Sequence, residues 1–121
     1  MELKDVMEKK NFVVVGDTLT EGKYACRIKK GLLKCGYNAV GVHKELKSIN
    51  DTEGDIDIID LCINPAKGLE YMKESRKKPQ CVVIQPGAGS RELMEYLKGE
   101  NIEYMESCLL VGMRKYRNAD V

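Results

Sequence analysis

The sequence predicts one three-layer α/β domain over residues 1–121, with helices on both faces of a five-stranded parallel sheet. Two observations predict it. Five short apolar runs rich in β-branched residues follow one another along the chain, and segments with apolar residues at helical spacing separate most of them. We expect right-handed connections. The expected strand order is 3-2-1-4-5, as in many doubly wound sheets.

The predicted strands are short apolar runs, and the first of them, residues 11–16, is continuous and β-branched, which is typical of a parallel strand buried on both faces. They span residues 11–16, 38–43, 56–63, 80–85 and 102–106. The crossover between the second and third runs is short and polar, and it contains Gly54. It therefore predicts a single turn where such folds usually carry a full helix.

Helices are predicted from the periodicity of apolar residues and from residues that start or stop a helix. They cover residues 2–9, 23–35 and 65–77 and the segment between Ser90 and Gly99. Gly36 is expected to end the second helix in the left-handed conformation. Asn64 and Ser90 are expected to cap the third and fourth, with Pro65 as a first helical residue. The tail 108–116 is apolar and then basic, and its form is left open.

Composition excludes several classes of protein. The 20 Lys and Arg residues nearly balance the 19 Asp and Glu residues, so the basic surplus of a nucleic-acid-binding protein is missing. No apolar run is long enough to cross a membrane, and the first ten residues lack the apolar core of a secretory signal. The five cysteines show no CxxC spacing, which argues against a zinc site or a disulfide framework. We expect a cytoplasmic protein.

A ligand site is expected outside the carboxyl ends of the strands, where the strand order reverses. In the predicted order, this brings together two turns, Gly16–Gly22 and Gln85–Gly89. Both turns lead into helix N-termini, which favour anions such as a pyrophosphate. The alternative is that their glycines only form tight turns. The sequence GDTLTEGKY is neither a GxGxxG fingerprint nor a Walker loop, and Lys23 at a helix start suggests a bound anion.

The end of the second strand points to a particular kind of nucleotide. Enzymes that bind NAD usually place an acidic residue there, whereas a phosphorylated ribose calls for a basic group. This chain has His43 and Lys44, and this basic pair fits the phosphorylated ribose of NADP or coenzyme A. The acidic Glu45 follows directly and weakens the signal. The alternative is that His43 is a partly buried histidine without a ligand.

These residues resemble the small stand-alone coenzyme A-binding proteins, whose domain also begins the succinyl-CoA synthetase alpha chain. The resemblance covers residues 12–116 and rests on the order and spacing of its segments. These segments are FVVVG, GKYACRIKKGLLKCGY, GVHK, INP, VVIQPGAGS and ESCLLVGMRKY. The resemblance implies a Rossmann-like domain that binds coenzyme A or an acyl-CoA noncovalently.

The resemblance also implies roles for single positions. It assigns the pyrophosphate to Gly16, Asp17, Thr18 and Lys23 with Tyr24 nearby, the 3′-phosphate to His43 and Lys44, the adenine wall to Asn64 and Pro65, and the pantetheine side to Gln85, Pro86 and Gly87. Two positions depart from the family. Asp17 stands where a small residue is usual, and no proline lies between His43 and Lys44.

No catalytic constellation or metal site is recognisable, so the main hypothesis is a binding module with a regulatory or carrier role that is not itself an enzyme. One alternative is an NADP-binding or acyl-transfer subunit that acts with a separate catalytic partner. Another is an interaction domain that forms a homodimer through the apolar segment Leu109–Met113. A smaller hypothesis concerns Cys108, which follows the last strand on the ligand side. One hypothesis is that Cys108 forms a mixed disulfide with coenzyme A at this position. The alternative is that Cys108 is a buried, inert thiol.

Overall fold

A five-stranded parallel sheet forms the centre of the protein, which a computed structural model describes over residues 1–121. The strands are β1 (Asn11–Gly16), β2 (Asn38–His43), β3 (Ile58–Cys62), β4 (Cys81–Ile84) and β5 (Tyr104–Glu106). Every neighbouring pair is parallel, and the order across the sheet is β2-β1-β3-β4-β5. The predicted α/β fold class with five parallel strands is confirmed.

The strand order differs from the predicted 3-2-1-4-5, because β3 lies beside β1 and not outside β2. Burial explains the difference. Ile59 and Leu61 of β3 are fully buried, which suits a strand with a neighbour on each side. In β2, Asn38 and Val40 are exposed, as expected at the edge of a sheet.

Helices cover both faces of this sheet. They are α1 (Leu3–Val6), α2 (Tyr24–Lys34), α3 (Pro65–Glu74), α4 (Arg91–Gly99) and α5 (Leu109–Tyr116), with a 3₁₀ turn at Ile49–Asp51 in the short crossover. One face carries α1, α2 and α5, and the other carries the 3₁₀ turn, α3 and α4. The predicted elements are confirmed, although α1 and α3 are shorter than expected and the tail is helical.

Alternate residues of β1 feed two separate hydrophobic cores. Phe12 and Val14 pack with the α2 and α5 side, whereas Val13 and Val15 pack with the α3 and α4 side. This alternation follows from the two-residue period of a strand. The sheet is thereby fixed from both faces, and the ends of its strands are held in place.

Side chains and glycine define the helix ends as predicted. The Asn64 Oδ1 atom accepts a hydrogen bond from the Lys67 N–H at 3.0 Å, and the Ser90 Oγ atom accepts one from the Leu93 N–H at 3.1 Å. Gly36 follows α2 with φ +89°, the left-handed conformation that glycine adopts without strain.

Helix α5 buries its apolar residues within its own chain. Leu109, Leu110 and Met113 lie in the core beneath the helix, and only Val111 of this segment is well exposed. Because most of this apolar segment is packed inside its own chain, only a small part of it is exposed for the dimer contact that the sequence suggests, and that contact stays a prediction. None of the helices has the length and apolar character needed to span a bilayer.

Candidate functional site

All twelve sequence-predicted ligand residues lie at or just beyond the carboxyl ends of strands, along one edge of the sheet. We call this edge the carboxyl edge. Following the order of the strands, it carries His43 and Lys44, then the loop 16–23, then Asn64 and Pro65, and then Gln85 to Gly87.

The strand order reverses between β1 and β3, and not between strands 1 and 4 as predicted. The chain leaves β1 for β2 on one side and β3 for β4 on the other. The turns Gly16–Gly22 and Gln85–Gly89 are consequently not direct neighbours. The end of β3, with Asn64, lies between them. Asn64 is therefore nearer to the middle of the candidate site than the predicted strand order implies.

Gly16 lies where three elements meet and leaves no room for a side chain. A Cβ atom there would lie 2.4 Å from the Cys62 carbonyl oxygen and 2.9 Å from the Ala25 Cβ atom. The glycine thus lets β1, β3 and α2 approach one another closely. This packing role accounts for the glycine without a ligand, so Gly16 alone does not identify a phosphate site.

Asp17 uses its carboxylate to shape the loop that follows β1. Its Oδ1 atom accepts hydrogen bonds from the N–H groups of Leu19 at 3.2 Å and Thr20 at 3.0 Å. Hydrogen bonds from Thr20, first of all from its side chain, lower the pKa of Asp17, and the nearby charge of Lys44 lowers it further. The carboxylate is therefore ionised at neutral pH, and it is held against its own loop.

Thr18 joins this loop to the turn after β2. Its buried hydroxyl donates to the Glu45 Oε2 atom at 2.6 Å, and Lys29 pairs with the same carboxylate at 2.7 Å. Burial alone would raise the pKa of Glu45, but the hydrogen bonds from Lys29 and Thr18 outweigh it and lower that pKa. Glu45 is thus neutralised by Lys29, and the Thr18 hydroxyl holds the loop in place.

The N-terminus of α2 differs from those of α3 and α4. Its N-cap residue is Lys23, which makes no side-chain capping bond, whereas Asn64 and Ser90 cap α3 and α4; like α3, the helix also has no acidic residue in its first turn. The N–H groups of a first helical turn have no acceptor within the helix and carry partial positive charge. Tyr24, the first residue of α2, is 59% exposed beside this turn. This helix end is suited to accept an anion.

His43 ends β2 in a strained backbone conformation, with φ +114°. Few non-glycine residues adopt such an angle, and strain of this kind often occurs at functional sites. The His43 N–H donates to the Leu46 carbonyl oxygen at 2.7 Å, and its Nδ1 atom lies 2.8 Å from the Tyr71 hydroxyl. The ring is thereby fixed at the carboxyl edge, half-buried beside the exposed Lys44.

Lys23 and Lys44 are both exposed, and neither forms an ion pair or a side-chain hydrogen bond in the protein. Lys44 is close enough to Asp17 to affect its titration. The turn after β2 and the loop after β1 are therefore neighbours. Together they present two free cations beside the uncapped start of α2.

A cleft of about 210 Å³ opens at the carboxyl edge on the α2 and α5 side of the sheet. Its lining consists of Tyr24, Cys62, Gln85, Pro86 and Cys108. Gln85 is buried, and its Oε1 atom accepts a hydrogen bond from the Leu109 N–H at 3.1 Å. The largely apolar walls suit an uncharged chain better than a phosphate.

Two of the larger clefts lie elsewhere on the protein. One of about 380 Å³ lies near the amino ends of β3 and β4, beside Asp57 and Lys77, and one of about 460 Å³ lies beside Lys98 and Tyr104. Both are wide and mainly polar. They do not coincide with the residues that the sequence singles out, because those residues all lie at the opposite edge.

Sequence reasoning missed four residues of the site. Gly41, Glu45 and Lys29 hold the loop after β1, and Tyr71 fixes His43. These roles depend on contacts between residues far apart in the chain. Only Gly41, a glycine inside a strand run, carried a local signal of close approach.

Comparison with solved structures gives several matches of the same fold. A conserved hypothetical protein from Pyrococcus furiosus is 28% identical with a TM-score of 0.76, and the match covers 85% of this chain and 98% of that one. A hypothetical protein from Pyrococcus horikoshii is 20% identical with a TM-score of 0.82, covering 97% and 93%. A Thermus thermophilus protein is 20% identical with a TM-score of 0.79, covering 96% and 99%. No curated protein matches the chain.

A protein-family model provides the functional comparison. The model described as CoA binding domain matches residues 10–114, which include all five strands and every element of the carboxyl edge. The resemblance noted in the sequence is thus confirmed over nearly its whole length. On this match, the chain belongs to the CoA binding domain family.

Proposed function

We propose that this protein binds coenzyme A, free or as an acyl thioester, noncovalently along the carboxyl edge. The observation that carries the proposal is the uncapped N-terminus of α2 with two unpaired lysines, Lys23 and Lys44, beside it. Membership of the CoA binding domain family supports the same ligand. The chain itself catalyses no reaction in this proposal and acts as a regulatory or carrier module.

In the proposed arrangement the ligand crosses the ends of the strands. The pyrophosphate lies against the loop 16–23 and the first turn of α2, where N–H groups and Lys23 carry positive charge. His43 and Lys44 bind the 3′-phosphate, and Tyr24 lies next to the pyrophosphate. Asp17 and Thr18 contribute by shaping the loop, because their side chains are engaged there.

The remaining site residues line the two ends of the ligand. Asn64 and Pro65 form the wall near the adenine, at the N-terminus of α3. Gln85, Pro86 and Gly87 flank the pantetheine, which then enters the cleft beside Tyr24. An uncharged pantetheine chain suits these apolar walls, whereas a charged phosphate group does not.

The charged groups at the carboxyl edge favour this ligand, except for the carboxylate of Asp17. Lys23 and Lys44 offer positive charge to phosphates, while the ionised Asp17 lies near Lys44. Because the Asp17 carboxylate accepts N–H groups of its own loop, it faces those donors. The net balance favours an anionic ligand with two phosphate positions.

Titration calorimetry with coenzyme A, dephospho-coenzyme A and NADP tests the proposal. We expect coenzyme A to bind and the dephospho form to bind more weakly by ~1 to 3 kcal/mol, the contribution of charge-assisted hydrogen bonds. Absence of coenzyme A binding, or equal affinity for both forms, would reject the assignment. Tighter binding of NADP would favour the alternative, an NADP-binding subunit that acts with a catalytic partner.

A further inference from the structure

The cleft at the carboxyl edge contains two of the five cysteines of the chain. Cys62 ends β3 and Cys108 is the N-cap residue of α5, and both line the cleft with Tyr24 and Gln85. Tyr24 is 59% exposed, so the cleft is open to solvent on its side. A reactive small molecule can therefore enter, and a leaving group can remain outside.

Gln85 directs a hydrogen-bond donor at the Cys108 sulfur. Its Oε1 atom accepts the Leu109 N–H at 3.1 Å, which requires the amide oxygen on that side. The Nε2 group then faces the Cys108 Sγ atom at 3.4 Å and donates to it. This donor and the N-terminus of α5 both stabilise negative charge that develops on sulfur during thiol–disulfide exchange.

The other cysteines are less well placed to react with a ligand in the cleft. Cys26 and Cys81 are almost completely buried, and burial raises the pKa of Cys81 to about 11. Burial, with smaller effects of Asp60 and Cys108, raises the pKa of Cys62 to about 12. Cys35 lies outside the cleft. Cys108 is thus the cysteine best placed for attack by or on a ligand in the cleft.

We propose that Cys108 forms a mixed disulfide with coenzyme A by exchange with the disulfide of coenzyme A. The inference rests on the proposed function, which brings the thiol end of the pantetheine into this cleft. The Cys108 thiol loses its proton to solvent, and its sulfur forms a bond to one sulfur of the ligand disulfide. The ligand S–S bond breaks, and the other coenzyme A leaves as a thiolate that takes up a proton. No further oxidant is needed.

The mixed disulfide is expected to persist. A second thiolate would have to attack it to release coenzyme A and close a disulfide within the protein. Cys62 is the candidate in the cleft, but its side chain is partly buried at the end of β3, and this burial raises the pKa of its thiol to about 12, so that little thiolate forms at neutral pH. The product is therefore a protein that carries one coenzyme A covalently until an external thiol removes it.

Mass spectrometry of the full chain treated with coenzyme A disulfide at neutral pH tests the inference. After acid quenching and digestion, we expect one coenzyme A adduct on the Cys108 peptide. It forms at least about tenfold faster than the adduct from pantethine, the disulfide of the same thiol without the nucleotide, because bound ligand is held near the sulfur. The C108S variant gives no adduct, whereas C35S, changed outside the cleft, reacts like the wild type.

Three results would overturn the inference: an adduct mainly on another cysteine, equal rates with pantethine, or an internal Cys62–Cys108 disulfide as the product. Calorimetry of the reduced wild-type protein with reduced coenzyme A separates the two proposals. Binding of reduced coenzyme A without formation of a Cys108 adduct would reject only the mixed-disulfide proposal. Absence of binding would reject the proposed function as well.

Discussion

A single carboxyl group in the core is the most unusual residue of this fold. Asp60, in the middle of β3, is completely buried, and neither of its oxygens has a hydrogen-bond partner. Burial raises the pKa of Asp60 well above its usual value. The side chain is consequently kept protonated, as a neutral acid, in a strand that otherwise contributes aliphatic residues.

Asp60 makes stability depend on pH in a defined direction. In the unfolded chain the carboxyl ionises near pH 4, whereas in the folded protein it stays protonated to a higher pH. With respect to this group the protein is most stable below about pH 4, and its stability falls as pH rises toward the folded pKa, by up to about 1.4 kcal/mol per pH unit, because burial disfavours the ionised carboxylate. We expect the free energy of unfolding to fall as pH rises above about 4 in wild-type protein and to fall less in D60N.

Urea unfolding at several pH values measures this effect. The matched control is D55N, which removes an exposed carboxyl a few residues away and is expected to keep the wild-type slope. If D60N retains the full slope, another group causes the dependence, and Asp60 does not remain a neutral acid in the core.

At the scale of elements, the loop after β1 depends on one glycine of β2. A Cβ atom at Gly41 would lie 2.2 Å from the Glu45 Oε2 atom and 2.4 Å from the Thr18 Oγ1 atom. These two atoms form the hydrogen bond that holds the loop. The loop and the end of β2 are therefore positioned together by the absence of a side chain.

We expect G41A to lower the free energy of unfolding by ~1 to 3 kcal/mol, the usual cost of overpacking, and to weaken coenzyme A binding. The control is G99A at the end of α4, where a Cβ atom meets nothing within 4 Å. Alanine favours a helix over glycine, so this variant should be as stable as the wild type or more so. Thermal unfolding and calorimetry provide both readouts, and a neutral G41A would contradict the role given to this contact.

Local patterns predicted most elements because each depends on neighbouring residues. Asn64 and Ser90 cap their helices, and Gly36 ends α2, through contacts within a few residues. The position of β3 could not be obtained in this way, since strand order depends on contacts between distant segments. A signal was nevertheless present, because the apolar residues of β3 on both sides of Asp60 indicate a central strand, whereas the weaker apolar pattern of β2 indicates an edge.

The candidate site is a prediction of location more than of detail. The rule that ligands lie at the carboxyl ends of strands selects this edge whatever the strand order. It could not show that the Thr18 hydroxyl is bonded to Glu45, or that Lys29 neutralises that carboxylate. Such pairings arise only once the turn after β2 packs beside the loop after β1.

At the scale of the whole molecule, charge is arranged locally and not globally. The chain carries a net charge of only +1, yet two unpaired lysines stand beside the uncapped start of α2. At the opposite edge, the Asp57 carboxylate accepts hydrogen bonds from the backbone N–H groups of Lys10 and Asn11. The carboxyl edge thus keeps two positive groups available, whereas Asp57 accepts hydrogen bonds from backbone N–H groups at the opposite edge.

The most direct test of the account combines a variant with a pair of ligands. Calorimetry would compare wild type and K44E with coenzyme A and with dephospho-coenzyme A, and K98E near the opposite edge would serve as the control. We expect K44E to lose ~1 to 3 kcal/mol of binding free energy for coenzyme A and much less for the dephospho form, since only the former carries the 3′-phosphate. Equal losses for the two ligands, or no loss for either, would contradict the account.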